Sequence, residues 1–379
     1  MQRTVLISEP HPYRLTNRYG GHQYADVFAK YGWKVLLFSS NFCIYRLLLP
    51  QSTTMREFVE LWRSKGKRVN KNITNYCIAH LFPSKIRYIW PFEHFSHNLF
   101  IPSLRSILKS EGVNKVNLLW LNGNCDGLYR DAVQYDKMVV RLIDNYAGYK
   151  NNSLCPSIDD LIRKADAVFS CSNYVKSIYR KTRDDIIVIP NGVDYERFAQ
   201  KNKIEPMCLK NISRPRIIYV GAIKEWFDIN LLCEIAKIKP KYSFIVVGPN
   251  NEKIFKETKQ LQNIYLLGEM LYKQIPNILA YSDVGIVPFK DCDLIRGVSP
   301  IKVYEYLAAG LPVVSIRWEE LVIQSLPIIL AKNAVEFVQG IETALQYSPK
   351  RKIELRNYAQ KYSWEQRLKE LLENAGIEL

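Results

Sequence analysis

Long apolar runs are missing from this chain of 379 residues. No stretch approaches the roughly 18 apolar residues of a membrane-spanning helix, which excludes an integral membrane protein of the helical kind and predicts a soluble chain. The opening MQRTVLISEPHPY holds only a short apolar run before Glu9 and Pro10. That run is too short for a signal-peptide core, so it is expected to be a first strand in a protein that is not secreted. Paired cysteine spacing is also missing. The eight cysteines (43, 77, 125, 155, 171, 208, 233 and 292) contain no CxxC, and several lie in apolar runs such as AVFSCS, where a thiol behaves as a small hydrophobe. A reducing cytoplasm is the expected compartment. The few histidines lack metal-ligand spacing, and no internal repeat or low-complexity segment is present.

Acidic charge is scarce as well. With 53 Lys+Arg against 37 Asp+Glu the net charge is +16, which asks for an acidic partner. The surplus is lopsided: residues 1–190 hold 27 basic against 15 acidic side chains, a surplus of +12, and residues 191–379 hold 26 against 22, a surplus of +4.

What is abundant is short β-branched apolar runs separated by longer mixed segments. In the first half these are TVLIS (4–8), KVLLFSS (34–40), YCIAHLF (76–82), VNLLWL (116–121), MVVRLI (138–143), AVFSCS (167–172) and IIVI (186–189). Strands alternating with helical stretches predict a parallel sheet with right-handed crossovers. IIVIPNGVDYERF (186–198) breaks the alternation with Pro190 and Gly192, turn chemistry suited to a hinge. The alternation then restarts with RIIYVG (216–221), SFIVVG (243–248), IYLLG (264–268), VGIVP (284–288) and PVVSI (312–316). The expected architecture is α/β, with two Rossmann-like parallel-sheet domains, residues 1–190 and 191–355, facing a deep cleft. Helical spacing in the tail predicts closing helices over 356–379 that pack back on the N-terminal domain. Ligands in such sheets bind beyond the carboxyl ends of the strands.

VSPIKVYEYLAAGLPVV (298–314) predicts a helix with marked ends: Ser299 as N-cap, Pro300 at the first helical position, Gly310 as stop and Pro312 beyond. Its start is a natural anion site, where free N–H groups, the helix dipole, the Ser299 hydroxyl and the Lys302 charge converge. Glu305, three residues after Lys302, lies on the same face, where a carboxylate can accept hydrogen bonds from ribose hydroxyls. Phosphate and ribose together mean a nucleotide. A solvated Lys302–Glu305 surface pair is the plainer alternative.

SPIKVYEYLAAGLPVV resembles the signature helix of GT-B glycosyltransferases, PNGVD their interdomain segment and SWEQRL (363–368) their closing helix. YVGAIKEWFD and SFIVVGP resemble the teichuronic-acid and xanthan glucuronosyl branch of that superfamily. Two departures separate the chain from the retaining branch, whose members commonly carry an acid eight positions before Glu305 and an Arg after the first glycine. Here those positions are Gly297 and Ala222. The resemblance implies a UDP-sugar donor, with Ser299 and Lys302 on the diphosphate, Glu305 on the ribose, and Glu269 and Met270 at the base. It also implies Gly221 and Lys224 along the phosphates and Gly248 where the base approaches the backbone.

An inverting transfer needs a general base for the acceptor hydroxyl. MVVRLIDNYAGY supplies Asp144 after the fifth strand, with Arg141 three residues earlier, and resembles the Arg-x-x-Asp segment of the xanthan glucuronosyl family. On the acceptor side stand Glu9 at the end of the first strand, and Gly20, Gly21 and His22 where the first loop turns into a helix. Asp291-Cys292-Asp293 spells a DxD in surroundings foreign to the fold that uses it, so no obligatory metal is expected.

Between Phe42 and Asn98 the chain is aromatic, aliphatic and basic at once, in IYRLLLP, ELWRSKGKRVNKN and IRYIWPFEHF. This combination suits a peripheral protein on an anionic membrane face, with a lipid-linked glycan as acceptor in polysaccharide synthesis. The same charge suits nucleic acid, as in phage enzymes that glycosylate modified DNA bases. A non-catalytic nucleotide-sugar binding protein and a sugar-nucleotide 2-epimerase are the other classes compatible with the fold.

Overall fold

The structure, a computed structural model, describes residues 2–13, 18–50, 52–81, 100–122, 128–143, 158–200, 204–249 and 252–379. It divides into two units. One comprises the described residues up to Ile189 together with Leu368–Leu379, and the other comprises Pro190–Arg367.

The apolar runs become strands because both faces of a parallel sheet are covered, so its strands are continuously apolar rather than alternating. In the first unit these are β1 (Thr4–Ser8), β2 (Lys34–Phe38), β3 (Phe42–Cys43), β4 (Lys67–Arg68), β5 (Ile73–Tyr76), β6 (Ala79–His80), β7 (Phe100–Ile101), β8 (Val116–Asn122), β9 (Tyr135–Leu142), β10 (Ala167–Ser170) and β11 (Ile187–Val188). Eight of them form one sheet in the order β11-β10-β9-β8-β1-β2-β5-β4, parallel except for β4 against β5. Val5 is in register with Val35 on one side and Leu118 on the other, and every residue of β1 is buried. β3, β6 and β7 make a separate three-stranded sheet.

YCIAHLF is therefore not one strand. Tyr76 ends β5 in the main sheet, and the chain enters the small sheet at Ala79. Ser39 and Phe42 donate their N–H groups to the Tyr76 and Ile78 carbonyls across this jump.

The second unit holds β12 (Arg216–Val220), β13 (Ser243–Val247), β14 (Ile264–Gly268), β15 (Val284–Val287), β16 (Val313–Ile316) and β17 (Ile329–Ala331). They form one parallel sheet in the order β14-β13-β12-β15-β16-β17. The strand order reverses between β12 and β15, as it does between β1 and β8 in the first unit. Two helices, Pro349–Gln360 and Trp364–Asn374, end the chain, with Leu355, Ala359, Leu368, Leu371 and Leu372 buried. The last residues join the first unit: Arg3 donates to the Glu378 carbonyl at 2.7 Å, and Lys369 lies 5.6 Å from the Tyr31 ring centroid.

Candidate functional site

The crevice at a reversal of strand order is where open α/β sheets bind ligands. In the second unit the loops leaving β12 and β15 at that point are fastened together. Phe227 bridges Phe289, Asp228 N–H donates to the Pro288 carbonyl, and Lys290 N–H donates to the Trp226 carbonyl, both at 2.8 Å. Gly221, directly after β12, donates to Val247 O at 2.9 Å, and Gly248, directly after β13, donates to Gly268 O at 2.9 Å. A Cβ on Gly248 would stand 2.0 Å from the Gly221 carbonyl oxygen, so the two strand ends close only because position 248 has no side chain. Lys224 is exposed and holds its ammonium 5.5 Å from the Trp226 ring centroid. Glu269 is exposed just past β14, and Met270 is half-buried against the core.

The helix after β15 runs Ile301–Ala309 and stops at Gly310 in the left-handed conformation, φ 75°. Its N-cap is Pro300, not Ser299. The Ser299 hydroxyl is drawn off by Asn191, whose backbone N–H donates to Ser299 Oγ at 3.2 Å while its Nδ2 donates to the Ser299 carbonyl at 2.7 Å. The helix start is thus fixed from 108 residues away, by the asparagine of PNGVD.

Lys302 and Glu305 face each other at 3.0 Å, but they are not a solvated surface pair. The Lys302 side chain is 30% exposed, whereas that of Glu305 is 1% exposed. The oxygen that Lys302 Nζ approaches is Glu305 Oε2, and no other polar group of the described residues hydrogen-bonds to it. Burying a carboxylate is costly, and the adjacent ammonium offsets that cost only in part.

Tyr306 sets the depth of this helix. Its hydroxyl accepts the Val220 N–H at 2.8 Å, at the last residue of β12. Its ring fills the space above Gly285, where a Cβ would come within 2.5 Å. Burial pushes the Tyr306 phenol well above its ordinary pKa, so it remains neutral. Tyr306→Phe strands the buried Val220 N–H, and the expected cost is about 1–3 kcal/mol of stability, read as a lower denaturant midpoint. An unchanged midpoint contradicts this. On the far side Tyr304 donates to Gln324 at 3.0 Å, and burial pushes its pKa up to about 12.

The acceptor-side candidates gather at the reversal point of the first unit. Glu9 is buried, and Asn122 Nδ2 donates both to the Ser8 carbonyl at 2.8 Å and to Glu9 Oε2 at 3.3 Å. A Cβ on Gly21 would meet Glu9 Oε2 at 2.0 Å, so the carboxylate lies against the start of the Gly20–Lys30 helix. Enclosed there, Glu9 is a support for that helix start rather than an open acceptor contact. His22 is likewise enclosed. Its Nδ1 accepts the Tyr19 N–H at 3.3 Å, which leaves Nε2 to donate to the His11 carbonyl at 3.0 Å. The ring caps its own helix. Asp144 lies outside the described residues, as does the IRYIWPFEHF segment. Arg141 is fully buried, with its guanidinium 5.1 Å from the Tyr24 ring centroid. Asp291 is exposed and Asp293 pairs with Arg296 at 3.1 Å.

Residues 214–347 match the family model described as glycosyl transferases group 1. A curated relative, the putative teichuronic acid biosynthesis glycosyltransferase TuaH of Bacillus subtilis (strain 168), is 28% identical over 232 residues, which is 58% of each chain. The chain thus matches under three fifths of that relative's length. Sucrose-phosphate synthase from Thermosynechococcus elongatus superposes with a TM-score of 0.69 at 12% identity, covering 98% of both chains. HepE from Anabaena, solved with UDP and glucose, superposes with a TM-score of 0.66 at 12% identity, covering 98% of this chain and all of that one. Residues 214–347 are thus similar to group 1 glycosyl transferases, and the fold is the GT-B fold of these solved structures.

Every nucleotide-side candidate named above, from Gly221 to Glu305, lies inside that matched segment. The residues that sequence reasoning missed are those that hold the candidates in place. Asn191 and Tyr306 act across long sequence separations, and only the glycine at 285, inside an otherwise bulky β-branched run, hinted that a neighbour needed room.

Proposed function

We propose that the chain transfers a sugar, a glucuronate or a hexose, from a UDP-sugar to an acceptor hydroxyl with inversion. The observation that carries this is the buried Glu305 carboxylate, held by Lys302 at 3.0 Å one turn into a helix whose start lies just past the strand-order reversal. Glu305 takes the ribose hydroxyls, while Lys302 and the helix N–H groups take the diphosphate without an obligatory metal. Gly221 and Lys224 line the phosphates, and Gly248, Glu269 and Met270 lie beside the base. Asp144 removes the acceptor proton, and Gly20 gives the acceptor room, Gly21 being the glycine that admits the Glu9 carboxylate. The fold shared with the UDP-bound HepE supports a UDP-sugar donor. The likeness to a relative named for teichuronic acid biosynthesis supports a lipid-linked glycan as acceptor, at the inner face of the plasma membrane.

Calorimetric titration separates the two halves of the nucleotide site. Glu305→Ala is expected to weaken uridine and UDP alike, by about 10- to 150-fold, the worth of hydrogen bonds to a charged group. Lys302→Ala is expected to weaken UDP and spare uridine. Uridine affinity unaltered in Glu305→Ala removes the ribose assignment.

A further inference from the structure

The small sheet of the first unit takes no part in the nucleotide chemistry, and its two faces differ. Inward it closes on the Thr53–Arg63 helix: Phe42, Val59, Leu61, Cys77 and Ala79 form a buried cluster. Trp62 meets Phe42 edge-on at 5.7 Å and donates its indole N–H to the Ile101 carbonyl at 2.6 Å. Beyond that cluster, four large apolar side chains stand in solvent: Leu48 at 88% exposure, Leu49 at 52%, Tyr45 at 43% and Leu81 at 40%.

They belong to one corner of the sheet. Tyr45 and Leu48 lie on the short 3₁₀ turn Ile44–Leu48 that leaves β3 directly, a turn with no buried residue, and Leu49 follows it. Cys43 Sγ, at the end of β3, contacts the Leu81 carbonyl at 3.5 Å, which brings that turn and Leu81 to the same end of the sheet. A single exposed leucine needs no explanation, but four apolar residues at one corner do.

The surrounding charge is of one sign. Arg46, Arg56, Arg63, Lys65, Lys67, Arg68 and Lys71 are all exposed, and none forms an ion pair with a described residue; between positions 42 and 71 only Glu57 and Glu60 are acidic. A nucleic acid duplex would use the cations and leave the projecting leucines without a purpose. A bilayer with anionic headgroups uses both, because apolar side chains enter the headgroup–acyl boundary while lysines and arginines meet the lipid phosphates. No helix among the described residues is long and apolar enough to cross a membrane, so the contact is superficial.

We propose that this corner, Tyr45 to Leu49 with Leu81, docks the protein on an anionic lipid bilayer, with Leu48 and Leu49 as the inserting side chains. The proposal rests on the lipid-linked acceptor for its purpose, but flotation without any nucleotide sugar tests it separately. Full-length protein is floated with vesicles of phosphatidylcholine alone or with about one third phosphatidylglycerol, a content that gives a strongly negative surface. The expected result is co-flotation with the anionic vesicles only, weakened by salt. In Leu48→Ser/Leu49→Ser it falls about tenfold or more, with UDP affinity and melting temperature unchanged because both side chains are exposed. Equal binding to neutral vesicles, or a double variant that floats like the parent, overturns the proposal. So does salt-sensitive binding to duplex DNA without flotation, which assigns the basic face to nucleic acid.

Discussion

In Asp144→Asn, turnover falls about 10²- to 10⁴-fold while UDP affinity is unchanged, the span expected when a general base is lost. β9 runs to Leu142, and Ile143 follows it with its carbonyl 3.0 Å from Cys171 Sγ, one residue before Asp144 in the sequence. β9 lies beside β8, and β8 beside β1, the pair between which the strand order reverses. Arg141, three residues earlier in the sequence, is anchored in the core against Tyr24. The pH profile adds a second readout. A base must be deprotonated to act, so kcat/KM carries an acid limb that disappears in the asparagine variant. Turnover within about threefold of the parent would favour a protein whose function is binding, since a positioned base contributes far more than that.

Lys302→Ala is expected to cost about 2–4 kcal/mol in transition-state stabilisation, or roughly 30- to 1000-fold in turnover, by analogy with the loss of an oxyanion donor. Charge builds on the diphosphate as the glycosidic bond breaks, and the ammonium is most valuable at that moment. The substitution has a second effect, because it leaves the buried Glu305 without its cation and so destabilises the fold. The double variant Lys302→Ala/Glu305→Gln distinguishes the two. It regains melting temperature by removing the orphaned charge, and it regains no turnover. If both recover together, Lys302 serves the fold and not the reaction.

The sheets were legible in the sequence because buried parallel strands leave a dense local signature. Thr4–Ser8, Arg216–Val220 and Ser243–Val247 fall within their apolar runs almost residue for residue. The three residues of β17 left no such mark, and the two-residue strands β3, β6 and β7 exist only through pairing with distant chain. The helix carrying Lys302 and Glu305 was legible at its end, where Gly310 adopts a conformation that glycine favours. Its start was misplaced by one residue because Asn191, far away in sequence, takes the hydroxyl that local capping chemistry assigns to the helix. His22 was offered as an acceptor contact and is a cap, a use that depends on its own backbone and on the His11 carbonyl.

The first unit is completed by residues that are made long after the rest of it. Leu368, Leu371 and Leu372 are buried, and Leu368–Leu379 belong with strands that begin at Thr4. During synthesis the whole of Pro190–Arg367 leaves the ribosome before that piece does, so the usual order, in which the earlier domain folds before the later one begins, is unavailable here. A message that terminates early yields a second unit with all its strands and a first unit with an unfinished core. An exposed core of this kind is what chaperones and proteases act on.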